Sequence, residues 1–332
     1  MPCYNPLHAY QYLREKSNGK KEIVFDEPRD RPSKEIELPC GQCIGCRQSK
    51  TLYWATRMQH ELITNKNIGC FLTLTYDDKN LPNDYSLNKH HPINFLKKLR
   101  KCIAPKKIRY YLAGEYVDET WRPHYHLIIF GYDFTDNEVY KKKSHPPRIR
   151  LQEQETETPY YHSTLLKELW NKGDHIIAEA NFETCAYVAK YILKKVNGEK
   201  ADYHYQRIIM DYNPFTGEFN EYKEVELLPE YSTMSRGGKG ADGINLKGIG
   251  HEWYQKYKMD CFPSNYLYKD GSKIPVPKYY LSLLEKENKQ LFDDVKLQNE
   301  LYRVKHSDEL TPTILKQRET CKLAQQKKRI KQ

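Results

Sequence analysis

The part of the chain that most constrains its fold is a pair of strand-like stretches joined by a short connection. Residues 108–116 and 124–131 flank the connection 117–123, and this arrangement predicts an antiparallel β-hairpin. The run Leu127–Phe130 in the second stretch is entirely apolar, which is typical of a buried strand. We therefore expect the hairpin to be a rigid support that holds functional side chains.

The other segments alternate between helical and extended patterns. Helices are predicted at residues 47–64, 92–103, 164–171, 183–196 and 277–306, and strands at 68–76, 175–181, 206–211 and 221–227. An irregular start (1–39), an exposed polar excursion (133–160), a turn (213–217) and a mobile basic tail (325–332) are also predicted. The patterns divide the chain into a cysteine-rich segment with a helix (1–66), a core (67–200), a hairpin with a glycine-rich loop (201–275) and a helical, basic extension (276–332).

Two histidines on the second strand of the hairpin are candidate metal ligands. Side chains alternate between the faces of a strand, so His124 and His126 point the same way and Tyr125 points the other way. In an antiparallel hairpin, Glu115 lies across from one of the two histidines. Two imidazoles and a carboxylate suit Mg²⁺ or Mn²⁺ bound together with phosphate oxygens. Two incidental histidines on an edge strand also fit. A histidine-triad nucleotide hydrolase does not, because Ile128 stands where that motif has its third histidine.

One predicted helix carries a pair of tyrosines. Tyr187 and Tyr191 are four residues apart and fall on one helical face. Lys190 and Lys194 lie within about a quarter turn of them. The opposite face is apolar and consists of Val188, Ala189, Ile192, Leu193 and Val196. A phenol has a pKa of about 10 and needs help to act as a nucleophile, which ammonium groups give by favouring the phenolate. An ordinary amphipathic helix with exposed tyrosines fits the same pattern when it is taken alone.

Four of the nine cysteines lie near the start of the chain. Cys40, Cys43 and Cys46 form a C-x-x-C-x-x-C run, and Cys3 supplies a fourth thiol. Thiolates at this spacing converge on one ion, so the pattern predicts a tetrahedral structural Zn²⁺ site. Unligated reduced thiols and an iron–sulfur cluster are the alternatives that the spacing leaves open.

The charge balance favours a polyanionic partner. The formal net charge is +10 and the chain has 28 tyrosines, and basic grooves with aromatic side chains are how single-stranded nucleic acid is bound. Candidate DNA contacts are Lys97, Lys98, Arg100, Lys101, Arg236 and Lys239, for which a plain solvated surface is an equal alternative. No apolar run reaches the roughly 20 residues that a bilayer requires, and no signal-peptide pattern is present. We therefore expect no membrane partner and a cytoplasmic location.

In their order along the chain, these motifs resemble those of HUH endonucleases that initiate rolling-circle replication. The order is Phe71–Thr75, then Glu115, then His124 and His126, then the tyrosine helix. The resemblance is to replication initiation proteins of the gokushovirus branch of the Microviridae, and it extends to the cysteine run and to Gly248-Ile249-Gly250. It covers residues 40–260, where residues 235–247 are longer and richer in glycine than in the family.

The resemblance implies an α+β fold with a central antiparallel sheet flanked by helices, which agrees with the predicted elements. A Cys-rich N-terminal extension and a helical C-terminal extension complete the chain. The resemblance also implies that Tyr187 or Tyr191, helped by Lys190 and Lys194, attacks a single-stranded or locally melted DNA origin. The attacking tyrosine stays on the 5′ phosphate and releases a 3′-OH, and the second tyrosine later cleaves the regenerated origin so that a circle is resealed.

The resemblance further implies host helicase and polymerase as protein partners and the cytoplasm of a bacterial host cell as the location. Two other interpretations remain open at this point. A relaxase or transposase has the same nuclease core and uses it in mobilisation or transposition. A non-enzymatic, zinc-stabilised nucleic-acid-binding protein would need neither the tyrosines nor a divalent ion.

Overall fold

The chain folds into two compact units. The computed structural model describes residues 3–17, 21–135, 149–150, 159–191, 194–196, 198, 200–212, 219–239 and 245–330. The first unit, here called the sheet unit, is Leu52–Leu281, and the second, the terminal unit, combines Met1–Thr51 with Ser282–Gln332. The four-segment division of the sequence stays a prediction, but no pattern in it indicated that the two ends of the chain share a unit.

The described part of the chain contains both β-strands and α-helices. The strands are β1 (Leu7–Glu15), β2 (Lys21–Val24), β3 (Ser33–Leu38), β4 (Gly69–Thr75), β5 (Arg109–Tyr116), β6 (Pro123–Phe130), β7 (Ile149–Arg150), β8 (Tyr161–His162), β9 (His175–Glu179), β10 (Gln206–Tyr212), β11 (Phe219–Glu226), β12 (Tyr231–Met234), β13 (Gly238–Lys239), β14 (Asn245–Leu246), β15 (Tyr266–Lys269) and β16 (Ser272–Pro275). The helices are α1 (Ile44–Thr64), α2 (His90–Ile103), α3 (Thr164–Trp170), α4 (Phe182–Tyr191), α5 (Lys200–Tyr205), α6 (His251–Cys261), α7 (Lys278–Glu287), α8 (Lys289–Lys305) and α9 (Pro312–Ile330), with a 3₁₀ turn at Ser307–Leu310.

A seven-stranded antiparallel sheet is the centre of the sheet unit. Its strand order is β12-β5-β6-β4-β9-β8-β7. The predicted hairpin is β5–β6, and β6 is paired on both sides, with β5 and with β4. The sheet, its flanking helices, the cysteine cluster near the N-terminus and the helical C-terminus confirm the predicted α+β fold class. Among the described residues, no helix combines the length and the apolar character needed to cross a membrane.

Helices cover both faces of this sheet, and the side-chain alternation of β6 divides the core between them. Leu127 packs on one side with Phe95 of α2 and Leu166 of α3. Ile128 packs on the other side with Met58 of α1 and with α4. Both faces are therefore apolar over most of β6, as the uninterrupted run in its sequence predicts.

Four features differ from the sequence predictions. Residues 1–39 are not irregular throughout, since β1, β2 and β3 form a three-stranded sheet in the order β2-β1-β3. The helix predicted at 277–306 is two helices, α7 and α8, because Asn288 caps the second by accepting from the backbone N–H of Leu291 at 3.0 Å. Most of the basic tail belongs to α9. The helix predicted at 183–196 is α4, whose described part extends to Tyr191, and residues 194–196 are not helical. The predicted turn at 213–217 and most of the excursion at 133–160 lie outside the described residues.

A buried ion pair joins α1 to the segment that contains Gly248-Ile249-Gly250. Glu61 is buried, and its two oxygens accept from Arg109 Nη1 at 2.8 Å and from the backbone N–H of Gly250 at 2.7 Å. Gly250 has φ +78°, a conformation that disfavours side chains, and a Cβ there would meet the hydroxyl of Tyr280. Arg57 donates from Nε to the carbonyl of Ile249 at 3.0 Å. The glycines are therefore required by backbone conformation and close packing.

We expect Glu61→Gln to lower the free energy of unfolding by about 2–3 kcal/mol, because it leaves a charged partner and a backbone N–H poorly satisfied. Glu183→Gln is the matched control. Its carboxylate is 72% exposed and 3.5 Å from Lys269, so its removal should cost less than about 0.5 kcal/mol. Urea unfolding followed by tryptophan fluorescence measures the free energy of unfolding of both variants. Equal costs for the two variants would show that the buried pair is not structural.

Candidate active site

The register of the β5–β6 hairpin sets the relation between the candidate metal ligands. Glu115 lies directly across from His124, and Ala113 lies across from His126. Both histidines are on the sheet face that α4 covers, because Ile128 on the same face packs in the core with α4. Tyr125 packs in the core of the other face. The carboxylate and the two imidazoles thus share one face, as the alternation of the sequence predicts.

His126 is held in place by three side chains. Its Nε2 lies 2.8 Å from Glu115 Oε1, and its Nδ1 lies 3.0 Å from Thr73 Oγ1 on β4. Phe71, also on β4, stacks on the imidazole with the ring centroids 5.7 Å apart. Both His126 and Glu115 are buried. Sequence reasoning placed Phe71 and Thr73 in a motif but gave them no role, and only the pairing of β4 with β6 reveals one.

The tyrosine helix packs directly on this group. The rings of Tyr191 and His126 are stacked, with centroids 4.5 Å apart and an interplanar angle of 8°. Tyr187 meets His126 edge-on at 5.6 Å and meets the ring of Tyr191 edge-on at 4.7 Å. The structure therefore brings both predicted nucleophiles to the predicted metal ligands, although Tyr187 follows His126 by 61 positions in the chain.

The two tyrosines differ in exposure. Tyr187 is 48% exposed, whereas Tyr191 is only 7% exposed. The expectation that the helix presents both phenols is therefore wrong for Tyr191, because its ring is covered by contacts from another strand. Burial, followed by the charge of Glu115, raises the pKa of the Tyr191 phenol well above its ordinary value.

The two lysines also occupy different positions. Lys190 is exposed on α4. Lys194 lies beyond the end of α4, so it does not continue the helical face as predicted. Its Nζ is 3.1 Å from Glu115 Oε2 and 2.9 Å from Asp118 Oδ1. Burial lowers the pKa of Lys194, but the hydrogen bond to Asp118 and the charge of Glu115 outweigh burial and raise it overall. The partner Asp118, in the hairpin loop, was missed by sequence reasoning because no motif contains it.

The donor set around Glu115 fits a divalent cation. Glu115 Oε2 is buried and forms an ion pair with the Lys194 ammonium at 3.1 Å. Burial is the main cause that lowers the pKa of His124, which favours the neutral, ligating imidazole. His124 Nδ1 lies 2.9 Å from the carbonyl of Arg122, and this contact orients the ring. The ligand atoms of Glu115, His124 and His126 do not all lie within 4.8 Å of one another, so these side chains would have to move to hold one ion.

The four N-terminal cysteines do form such a compact group, within the terminal unit. The sulfurs of Cys3, Cys40, Cys43 and Cys46 all lie within 4.8 Å of one another, so the cluster could bind a structural metal such as zinc. Cys43 Sγ accepts from the backbone N–H groups of Tyr4 at 3.3 Å and of Cys46 at 3.4 Å. Burial raises the pKa of the Cys43 thiol, but these hydrogen bonds outweigh burial and lower it to about 7. All four cysteines are free of disulfides.

The candidate DNA contacts remain predictions, and the structure gives only their exposure. All four cations on α2 are exposed, namely Lys97, Lys98, Arg100 and Lys101. Arg236 is also exposed, between β12 and β13, and the side chain of Lys239 lies outside the described part of the chain.

Together, the fold and this site define an α+β protein in which a tyrosine helix packs on a histidine- and carboxylate-bearing antiparallel sheet. Residues 69–196 match the family described as Replication-associated protein ORF2/G2P. The matched range begins at β4 and includes both tyrosines, both histidines and Glu115.

Three phage proteins are similar to the chain. It is 28% identical over 302 residues to Replication-associated protein ORF2 of Spiroplasma virus 4, covering 86% of this chain and 81% of the relative. It is 27% identical over 297 residues to Replication-associated protein VP4 of Bdellovibrio phage phiMH2K, covering 85% and 78%. It is 33% identical over 164 residues to Replication-associated protein ORF4 of Chlamydia phage 1, covering 48% and 38%. These similarities confirm the resemblance to phage replication proteins. No solved structure matches the chain.

Proposed function

We propose that this protein is a replication initiator endonuclease. It nicks and rejoins single-stranded DNA at a phage origin through a 5′-phosphotyrosine intermediate during rolling-circle replication. The observation that carries the proposal is the packing of Tyr187 and Tyr191 against His126, which is hydrogen-bonded to Glu115. The names of the relatives support a role in replication, and phage replication takes place in the cytoplasm of the infected bacterium.

The chemistry would be a transesterification. A tyrosine oxygen bonds to the scissile phosphorus, the bond from phosphorus to the 3′ oxygen breaks, and that oxygen leaves as a 3′-OH after taking up a proton. Because one phosphodiester replaces another, no nucleotide cofactor is needed. The released 3′-OH would serve as primer for the host polymerase, with a host helicase opening the duplex.

Side chains of this protein would bind the metal ion, orient the DNA phosphate and supply charge. His124, His126 and Glu115 would hold Mg²⁺ or Mn²⁺, and a bound divalent ion supplies polarisation of the scissile phosphodiester. The exposed ammonium of Lys190 lies one helical turn from Tyr187 and would attract the phosphate. Lys194 would neutralise part of the charge near Glu115, with which it is paired.

The direct test is capture of a covalent protein–DNA adduct. The full chain is incubated with Mn²⁺ and a single-stranded DNA library of randomised central sequence, and adducts are separated in denaturing gels. We expect an adduct from the wild type and none from the double variant Tyr187→Phe/Tyr191→Phe. Tyr203→Phe is the matched control, because Tyr203 is 86% exposed outside the site, and it should react as the wild type does.

Other outcomes separate the alternative functions. DNA binding without an adduct in the wild type would contradict the proposal and favour a non-enzymatic nucleic-acid-binding protein. A normal adduct from the double variant would equally contradict it. Once a cleaved sequence is captured, a template with two copies of it should yield closed single-stranded circles. Transfer to unrelated DNA instead would favour a relaxase or transposase.

A further inference from the structure

The two candidate nucleophiles differ in how easily a DNA phosphate can reach them. Tyr187 lies in the middle of α4 with about half of its surface exposed, while Tyr191, the last residue of the helix, is 7% exposed. An attacking oxygen must stand about 3–3.5 Å from phosphorus, in line with the leaving oxygen. A phosphodiester flanked by nucleotides can approach an exposed phenol in this way, whereas a buried ring stacked on His126 must first be uncovered.

We infer that Tyr187 makes the first cleavage and that Tyr191 is reserved for the second. This inference rests on the proposed function and goes beyond it by giving each tyrosine a separate step. In the first step the Tyr187 oxygen bonds to phosphorus and the 3′ oxygen departs with a proton. In the second step the Tyr191 oxygen attacks the regenerated origin in the same way. The newly freed 3′ oxygen then attacks the Tyr187 phosphoester, closes the circle and returns a free Tyr187 phenol.

Tyr191 is covered by residues of two elements, the strand β6 and the helix α4 itself. His126 stacks on its ring with centroids 4.5 Å apart, and the ring of Tyr187 packs against it edge-on at 4.7 Å. Just past the end of α4, Lys194 is tied to the hairpin by its ion pairs with Glu115 and Asp118. Tyr187 is therefore part of what covers Tyr191.

This last contact gives the order a physical basis. When Tyr187 bonds to DNA, its ring must follow the phosphate, and the edge-on contact that shields Tyr191 is disturbed. Exposure of Tyr191 then requires only that its side chain leave the stack with His126, while the buried Cys185 and Val188 keep α4 packed on the sheet. The first reaction thereby makes the second nucleophile accessible.

The test maps which tyrosine carries the first DNA. The full chain reacts with the randomised single-stranded library and Mn²⁺, is quenched at short times, and the DNA-bearing peptide is identified by mass spectrometry. We expect early wild-type adducts on Tyr187. Tyr187→Phe should slow the first adduct by about 100-fold or more, and Tyr191→Phe should change it by less than about threefold. Phenylalanine keeps both rings, so neither variant removes packing.

A second measurement separates the two steps. On a template with two copies of the captured sequence, Tyr191→Phe should form the adduct normally but release few circles. Early wild-type adducts on Tyr191, or a normal first adduct from Tyr187→Phe, would overturn the order while leaving the endonuclease proposal intact. Absence of any adduct from the wild type would instead contradict the proposed function itself, so the two failures are distinguishable.

Discussion

His124→Ala should slow DNA cleavage by about 100-fold or more, since loss of a metal ligand should exceed the 10–100-fold effect of losing an outer-shell partner. Single-stranded DNA affinity and thermal stability should stay near those of the wild type. The reason is that His124 is only partly buried and its Nδ1 contacts a backbone carbonyl, that of Arg122. His126 is a poorer choice for this test, because its ring is buried between Phe71 and Tyr191 and its removal leaves a cavity.

Three measurements check this prediction on the same samples. Mn²⁺ binding followed by electron paramagnetic resonance should weaken in His124→Ala, adduct formation should fall, and fluorescence anisotropy with single-stranded DNA should be unchanged. His8→Ala is the matched control, because that imidazole is 70% exposed in the terminal unit. Unchanged cleavage would remove His124 from the metal site. A simultaneous loss of folding and DNA binding would mark it as a structural histidine.

Local sequence pattern was sufficient for the part of the site that lies on one hairpin. The alternation of β6 places His124 and His126 on one face, and the short connection to β5 places Glu115 across from them. The two-residue separation of the histidines and the pairing of the two hairpin strands determine this geometry, so no knowledge of the rest of the fold is needed. The same reasoning explains why the strands of this hairpin were predicted close to their observed bounds.

Contacts between distant segments could not be read from such patterns. Helical periodicity puts Tyr187 and Tyr191 on one face, but their unequal exposure depends on His126 and on where α4 ends. Likewise, β12 joins the edge of the sheet beside β5 after more than 100 intervening residues. Sheet pairing at such separations is determined by tertiary packing, and the period of a strand does not identify its partner.

The irregular appearance of the first 39 residues has a similar cause. Strands β1, β2 and β3 have side chains of mixed character, and several apolar ones, including Leu13 and Ile23, are exposed. In a sheet with so small a buried face, apolar and polar residues show little alternation along the strands. Around the cysteines, Tyr4, Cys43, Ile44 and Leu315 are the buried members of one small apolar cluster.

We expect a bound ion at the cysteine cluster to stabilise the terminal unit, because the four cysteines belong to this apolar cluster. We expect the purified protein to carry about one Zn²⁺ per chain, and Cys43→Ser to lose it. Structural zinc contributes an apparent 10–16 kcal/mol, roughly, in small zinc-dependent folds. Loss of the ion should therefore unfold the region that links Cys3 to Cys40–Cys46. Cys43 is the sharpest position to change, because its sulfur accepts two backbone N–H groups in addition to facing the other three thiols.

Cys321→Ser is the control for this prediction, because Cys321 is an exposed cysteine on α9 in the same unit. It should retain both metal and protease resistance, whereas Cys43→Ser should lose the metal and be cut rapidly within the terminal unit. Elemental analysis by mass spectrometry measures the metal, and limited proteolysis measures the folding. Iron in place of zinc, together with absorbance in the visible range, would identify an iron–sulfur cluster instead. A wild type without stoichiometric metal that is equally resistant to protease would show that the four thiols are held together by packing alone. If Cys43→Ser retained the metal, Cys43 would not be a ligand of the ion, because a serine hydroxyl is a poor substitute for a thiolate ligand of zinc.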